Sequence, residues 1–196
     1  SEELAQADLP VAEEAELVFE QPLNERMRTF LRIDFLYSQA TYHNDRASEW
    51  GSRAAIASLI DILAITTRGD ARADALKELE RQLSLLNEFQ AKPSVDTSRL
   101  RAVMSNLMRL RTELLAAGSA YLQPIKESEF LAAVKHRSAI PGGTCEFDLP
   151  GYYAWQKHDP QRRRADLLHW ASSLMPLAQA LSVLLGLIFL IGFGIA

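Results

Sequence analysis

The chain has 196 residues, of which 48% are hydrophobic and 23% are charged, and its formal net charge is −4. These values are ordinary for one folded domain or two small ones, and they exclude a chain that is disordered throughout. The single cysteine, Cys145, excludes an intrachain disulfide and suits a reducing compartment.

The first 16 residues are strongly acidic. They carry six acidic residues and no basic one, which leaves 19 acidic and 21 basic residues in the rest of the chain. Such a segment buries too little apolar surface to fold, so we expect a disordered acidic leader over residues 1–16. It also lacks the basic start and apolar run of a secretory signal. The body is only weakly basic, and we therefore expect no nucleic-acid partner.

The first predicted elements are a strand and a helix. Phe19–Gln21 is short and apolar at its start, and Pro22 ends it, which is consistent with a strand. Apolar residues then recur at helical spacing from Leu23 to Phe35, which predicts a helix over residues 23–40. Arg28 and Arg32 are four residues apart on this helix, so their side chains share one face.

Three further helices are predicted before residue 118. Ser48 is a suitable N-cap for the second helix, and Gly69 marks its end. The third and fourth, over residues 70–90 and 97–117, each carry an apolar seam with alternating spacings of three and four. Two matching seams joined by a short turn predict an antiparallel helical hairpin, in which the seams form part of a core.

The segment from residue 139 to 156 has a different pattern. Ile140–Gly143 (IPGG) is a turn signal, and Cys145, Phe147 and Leu149 then alternate with polar residues. This alternation predicts a strand that buries Cys145, and the aromatic residues that follow predict a second extended segment. A single hairpin is not stable alone, so we expect it to pair with a strand from the N-terminus.

The C-terminal part begins with a clear helix signal at Asp159-Pro160 and has Pro176 as a break or kink. We expect Arg162, Arg163 and Arg164 to be exposed. Residues 176–196 carry no charge, and at ~1.5 Å per residue they are long enough to span a bilayer. A membrane-anchored helical scaffold is therefore the alternative to a soluble protein.

Residues that could carry chemistry are few. The four histidines show no paired metal-ligand spacing, and Gly142-Gly143 lacks the lysine and glycine spacing of a phosphate loop. A nucleophilic pair of Cys145 with a histidine is the remaining alternative to a buried structural cysteine. We therefore expect a protein that is not an enzyme and that has no metal and no cofactor.

Three blocks that lie far apart in the chain resemble one family in sequence, order and spacing. They are 18–36 (VFEQPLNERMRTFLRIDFL), 139–155 (AIPGGTCEFDLPGYYAW) and 170–188 (WASSLMPLAQALSVLLGLI). The family is ZapD, a bacterial division adaptor that binds the tubulin-like protein FtsZ and bundles its filaments. The resemblance implies an α-helical domain, a β domain, and a homodimer that binds the C-terminal tail of FtsZ through basic surface residues.

The predicted fold is therefore α+β and mainly α. A helical bundle carries a small β-sandwich-like domain, built from the N-terminal strand and the 139–156 segment and incomplete at its C-terminus. The expected divisions are a leader over 1–16, β segments over 17–22 and 119–158, an α-helical domain over 23–118 and 159–188, and a hydrophobic tail over 189–196. The similarity stops at Ile188, so the tail is a truncated or frame-shifted end, an anchor, or the end of a chain that lacks a segment.

The resemblance also implies candidate contacts. Arg28 lies in the matched PLNERMR block, and Arg32 and Arg26 belong to the same helix. Tyr153 lies in the FDLPGYYAW block and Lys157 follows it, whereas Trp155 is expected in the core. The alternative for each arginine is a solvated face with local pairs to Glu25 and Asp34. The implied function is that of a cytoplasmic, mid-cell division factor that cross-links FtsZ filaments during bacterial septation.

Overall fold

The computed structural model describes residues 21–22, 24–46, 48–90 and 96–193, with side chains as far as residue 189. The expected acidic leader and most of the expected N-terminal strand lie outside these residues. The helices of the described residues are α1 (Glu25–Asp45), α2 (Glu49–Thr66), α3 (Ala71–Phe89), α4 (Thr97–Ala116), α5 (Gln123–Lys126), α6 (Glu129–Ser138), α7 (Pro150–Gln156), α8 (Pro160–Ser172) and α9 (Met175–Phe193).

The predicted α+β fold is wrong, because the described residues form helices and turns and contain no β-strand. The segment expected to be the hairpin makes local hydrogen bonds: the amide of Cys145 donates to the carbonyl of Gly142, and that of Leu149 to the carbonyl of Cys145, each at 3.0 Å. Pro150 then fits the first turn of α7, where its missing N–H costs nothing. Backbone donors satisfied in this way are not available to a sheet.

The side chains of this segment also contradict the strand prediction, which placed Cys145 and Phe147 on a buried face. Phe147 is 84% exposed instead of facing a core. Cys145 is partly exposed, and its Sγ lies 3.7 Å from Oδ2 of Asp148. The alternation of apolar and polar residues therefore does not correspond to an inside and an outside face here.

Local signals account well for the helix ends. The side chain of Asn24 accepts from the amide of Met27 at the start of α1, and Ser48 caps α2 as predicted. Asp159 caps α8, with Pro160 in its first turn. Gly118 has φ +66° just after α4, a left-handed conformation that glycine adopts without a Cβ penalty.

The core is organised around α9, which packs against α1, α3 and α4. Its residues Leu177, Ala180, Leu181 and Leu184 are fully buried, and each leucine contributes about 1.5–3 kcal/mol through burial. Helices α1 and α2 pack side by side, and α8 lies against both. Helices α3 and α4 form the predicted pair.

Pro176 coincides with a break in the chain direction. Helix α8 ends at Ser172 and α9 begins at Met175, with a bend of 67° between them. Within the described residues, no single helix combines the length and apolar composition needed to cross a membrane. The two helices on either side of this bend do so only when they are counted together.

An aromatic cluster joins α6, α7 and α8. Phe130 stacks on Trp170 with ring centroids 5.6 Å apart and contacts both Tyr152 and Trp155. Trp155 is buried, as predicted, and its Nε1 donates to Oδ2 of Asp166 at 2.9 Å. Burial raises the pKa of Tyr152 to about 12. The cluster fixes α7 so that its other side faces solvent.

Candidate protein-binding surface

The arginines of α1 have different surroundings. Nε of Arg26 lies 3.9 Å from Oδ1 of Asp74, and its Nη1 lies 3.7 Å from Oε2 of Glu78, both on α3. The Glu78 side chain is only 3% exposed. Arg26 therefore serves the packing of α1 against α3, and the structure gives it a role inside the fold.

A cluster of polar groups surrounds this buried carboxylate, and we call Arg26, Asp74, Glu78, Arg81 and Gln82 the Glu78 cluster. Arg81 donates to Glu78 through Nε at 2.9 Å, and Nε2 of Gln82 donates to it at 2.9 Å. Burial raises the pKa of Glu78, but these hydrogen bonds and the nearby arginines outweigh it, so the pKa lies below its ordinary value.

Arg28 is about as exposed as Arg26, but its partner is local. Its Nη1 lies 2.8 Å from Oε1 of Glu25, one turn earlier on α1. This is the local pairing with Glu25 that the sequence offered as the alternative to partner binding. An exposed pair of this kind contributes little to stability, and either side chain can exchange it for another partner.

Arg32 lies at a groove between α1 and α2 with a volume of about 310 Å³. We call the residues that line it the α1–α2 groove: Arg32, Phe35, Leu36, Asp61, Ala64, Ile65 and Arg68. Phe35 is 64% exposed. Among the described residues, no carboxylate forms an ion pair with Arg32 or Arg68. The groove therefore combines two exposed arginines and an exposed aromatic ring with one carboxylate, Asp61, which forms an ion pair with neither arginine.

Tyr153 and Lys157 lie on the solvent side of α7, beside the start of α2. Nζ of Lys157 lies 2.9 Å from both carboxylate oxygens of Glu49 and 5.3 Å from the centroid of the Tyr153 ring. The hydrogen bond that Lys157 donates to Glu49 raises the pKa of Lys157. Glu49 and Ala64 lie at opposite ends of α2, about 22 Å apart along its axis. The structure therefore does not bring the five candidate residues together on one surface.

The basic run at the start of α8 is also divided. Arg163 was expected to be exposed, but it is buried: its Nη1 donates to the carbonyl of Gln156 at 2.8 Å and its Nε to Oγ of Ser52 at 3.2 Å. Nη2 of Arg164 lies 2.8 Å from Oδ1 of Asp45. These bonds join α8 to α1, α2 and α7, so Arg163 acts as a structural residue.

Arg53 on α2 and Arg68, just after its end, were not identified from the sequence as candidates. Arg68 faces Arg32 only because α1 and α2 pack side by side in opposite directions. Aligning the two predicted helices as an antiparallel pair would have placed Arg68 near the start of α1. The described residues contain no group of three or more His, Cys, Asp or Glu side chains that could hold a metal ion.

Comparison with known proteins gives consistent matches over most of the chain. A family model described as "ZapD: Cell division protein" matches residues 31–189. A protein of Chromobacterium violaceum named "Cell division protein ZapD" is 39% identical over 170 residues, which cover 87% of this chain and 68% of that protein. Proteins with the same name from Ralstonia pickettii and Methylococcus capsulatus are 38% and 36% identical over 88% of this chain and 68% of their own length.

Proposed function

The chain belongs to the ZapD family of cell division proteins, and on this premise we propose that it binds FtsZ through the FtsZ C-terminal tail and cross-links FtsZ filaments. It acts at the division site in the cytoplasm, as a homodimer. The observation that carries the proposal is the α1–α2 groove. It presents Arg32 and Arg68, neither of which forms an ion pair within the described residues, together with the exposed ring of Phe35.

The groove suits a peptide that offers both carboxylates and an apolar side chain. Carboxylates would pair with Arg32 and Arg68, and arginine pairs of this kind form strong, directional hydrogen bonds. An apolar side chain would cover Phe35 and remove its ring from water. Arginine and aromatic residues are enriched among the residues that contribute most to protein–protein binding. Arg28, one turn before Arg32, extends the same basic face once it leaves Glu25.

Cross-linking then follows from the number of binding sites. A filament presents many tails, and a dimer has two grooves. After one groove binds, the second contact forms at a high local concentration, so the overall affinity exceeds that of one site by ~10²–10⁴ without any new contact. Two grooves that bind tails on neighbouring filaments produce a bundle. No catalytic step and no cofactor are needed.

The test is co-sedimentation with FtsZ polymerised by GTP, run beside FtsZ that lacks its C-terminal tail. We expect the protein to pellet only with tailed filaments and to pellet less as salt rises, because surface charge pairs are screened. The double variant Arg32→Glu/Arg68→Glu should lose pelleting and bundling while its far-UV helix signal is unchanged. Arg99→Glu is the matched control, because Arg99 is 88% exposed at the start of α4, outside the groove.

Two results would contradict the proposal. Pelleting that is equal with tailed and tailless filaments would exclude the tail as the partner segment. Unchanged pelleting of the Arg32→Glu/Arg68→Glu variant would exclude the α1–α2 groove as the contact.

A further inference from the structure

A second pocket lies at the other end of α2 from the α1–α2 groove, with a volume of about 340 Å³. It is formed by the first turns of α2, by the turns after α6 and by the solvent side of α7. We call it the Arg53 pocket, and its lining includes Trp50, Arg53, Thr144, Tyr153, Gln156 and Lys157.

The guanidinium group of Arg53 is held in one orientation by neutral partners. Its Nη2 donates to the carbonyl and to Oγ1 of Thr144, at 3.1 and 2.6 Å, and its Nη1 donates to Oε1 of Gln156 at 3.3 Å. Its Cζ lies 4.9 Å from the centroid of the Tyr152 ring. Within the described part of the chain, no carboxylate forms an ion pair with Arg53. A partly buried cation is thus positioned but not neutralised.

Gln156 is a buried partner of Arg53. Gln156 is only 4% exposed, and its Oε1 already accepts from Arg53. Its Nε2 is buried and has no hydrogen-bond partner. A buried amide donor without an acceptor is unfavourable, because it has lost its hydrogen bonds to water and gained none in return. The side chain of Gln156 therefore serves Arg53 rather than a ligand. Arg53 donates three hydrogen bonds, and because a guanidinium group has five N–H groups, two remain for a carboxylate.

The remaining charges and the rim limit what can fit. Lys157 is already paired with Glu49, and Glu146 also lines the pocket, so the pocket as a whole is close to neutral. Because the pocket is close to neutral, it attracts a polyanion only weakly. A single carboxylate that reaches Arg53 can still form hydrogen bonds with the guanidinium group. Trp50 is 78% exposed at the rim and Tyr153 lies opposite on α7. These rings suit an apolar side chain next to the carboxylate.

We propose that the Arg53 pocket binds one carboxylate, together with the apolar side chain beside it, of an FtsZ peptide segment. Arg53, which Gln156 and Thr144 hold in place, donates to the carboxylate, and Trp50 packs on the apolar group. The identity of the partner rests on the proposed function, whereas the chemistry of the pocket rests on Arg53, Gln156 and Trp50 alone. The chain would then contact each FtsZ partner at two places about 22 Å apart along α2.

The first experiment tests the pocket without FtsZ. The probes are N-acetyl-phenylalanine, which has a carboxylate beside a ring, and its neutral amide, titrated into the full chain by ligand-observed NMR. We expect the acid to bind at least about tenfold more tightly than the amide. Arg53→Met, which keeps length but removes charge, should weaken binding of the acid about tenfold. Arg99→Met is the matched control and should bind the acid as the original chain does.

A second variant protects the test against loss of folding. Because Trp50 is exposed, Trp50→Ala leaves the core intact and should weaken binding of the acid severalfold. Equal binding of the acid and the amide would contradict the proposal that the Arg53 pocket binds a carboxylate. Unchanged binding of the acid by both folded variants would contradict it as well.

Co-sedimentation separates this inference from the proposed function. Arg53→Met should reduce pelleting with tailed FtsZ. If Arg53→Met no longer binds N-acetyl-phenylalanine but still pellets like the original chain, the pocket does not bind FtsZ. If the original chain binds the probe and ignores FtsZ, the proposed function fails and the chemistry of the pocket stands.

Discussion

The Glu78 cluster and the α1–α2 groove share one helix and use its arginines in opposite ways. Arg26 lies against two carboxylates of α3, one of them buried. Arg32, six residues later on α1, lies beside an exposed phenylalanine and a second arginine. In the first region the arginine is paired with carboxylates of the fold, and in the second neither arginine forms an ion pair within the described residues, although Asp61 lines the same groove. The presence of local counter-ions, more than the number of basic residues, therefore distinguishes structural arginines from candidate contacts.

The largest effect is expected when the Glu78 cluster is broken. Arg81→Met removes the main donor to a buried carboxylate and should lower the free energy of unfolding by about 2 kcal/mol at pH 7. Arg109→Met is the matched control, because Arg109 is as exposed as Arg81 but its partner Glu113 is 41% exposed. The control should lose at most about 0.5 kcal/mol. Urea unfolding measures both, and equal losses would show that burial of the partner does not matter.

The Glu78 cluster should also respond to acid. The pKa of Glu78 is lower in the folded protein than in the unfolded chain, where it is about 4.3. Ionised Glu78 therefore adds to the free energy of unfolding above that pH, and this contribution is lost as the pH falls through the folded pKa. Protonated Glu78 no longer needs Arg81. The stability difference between the original chain and Arg81→Met should therefore shrink as pH is lowered from 6 to 3.5, in urea unfolding at each pH.

Arg109→Met again provides the comparison, and its small difference should stay small across the same pH range. A difference for Arg81→Met that is constant from pH 6 to 3.5 would mean that packing of the arginine stem, and not the charge of Glu78, accounts for its effect.

The sequence predicts regions with local signals better than regions decided by packing. The seams of α3 and α4, the cap at Ser48 and the break at Pro176 depend on spacing or on single residues, and the structure has all of them. The alternation around Cys145 is equally regular, yet the IPGG turn and Pro150 direct its backbone into turns and then into α7. The periodicity of apolar residues alone does not determine which acceptors the backbone N–H groups bind.

The candidate binding residues could likewise be predicted only where the signal was local in sequence. Arg28 and Arg32 could be proposed from the resemblance and from their shared face on one helix. Arg68 and Arg53 become candidates only when α2 is packed beside α1 and α7, since their neighbours from other helices are 32 residues or more away in sequence. The buried position of Arg163 could not be inferred either, because a run of three arginines at a helix start is usually solvated.

The smallest expected effects compare Arg28 with Arg32 in binding of the FtsZ tail. Arg32→Gln removes an arginine that forms no ion pair within the described residues and should weaken binding about tenfold. Arg28→Gln should weaken it about threefold or less, because Arg28 must give up Glu25 before it can pair with a partner. Titration of the tail peptide at low salt measures both, and each variant should keep its stability within about 0.5 kcal/mol.

Glu25→Gln makes this comparison sharper because it changes Arg28 without removing it. The substitution frees the Arg28 guanidinium from its carboxylate 2.8 Å away and removes a negative charge from the basic face. Binding of the tail should therefore become slightly tighter, by about twofold, and the gain should disappear at high salt. Weaker binding by Glu25→Gln would mean that the Glu25–Arg28 pair holds the start of α1 in its binding conformation. In that case local pairing would support the surface, and counter-ions would no longer distinguish the two regions of α1.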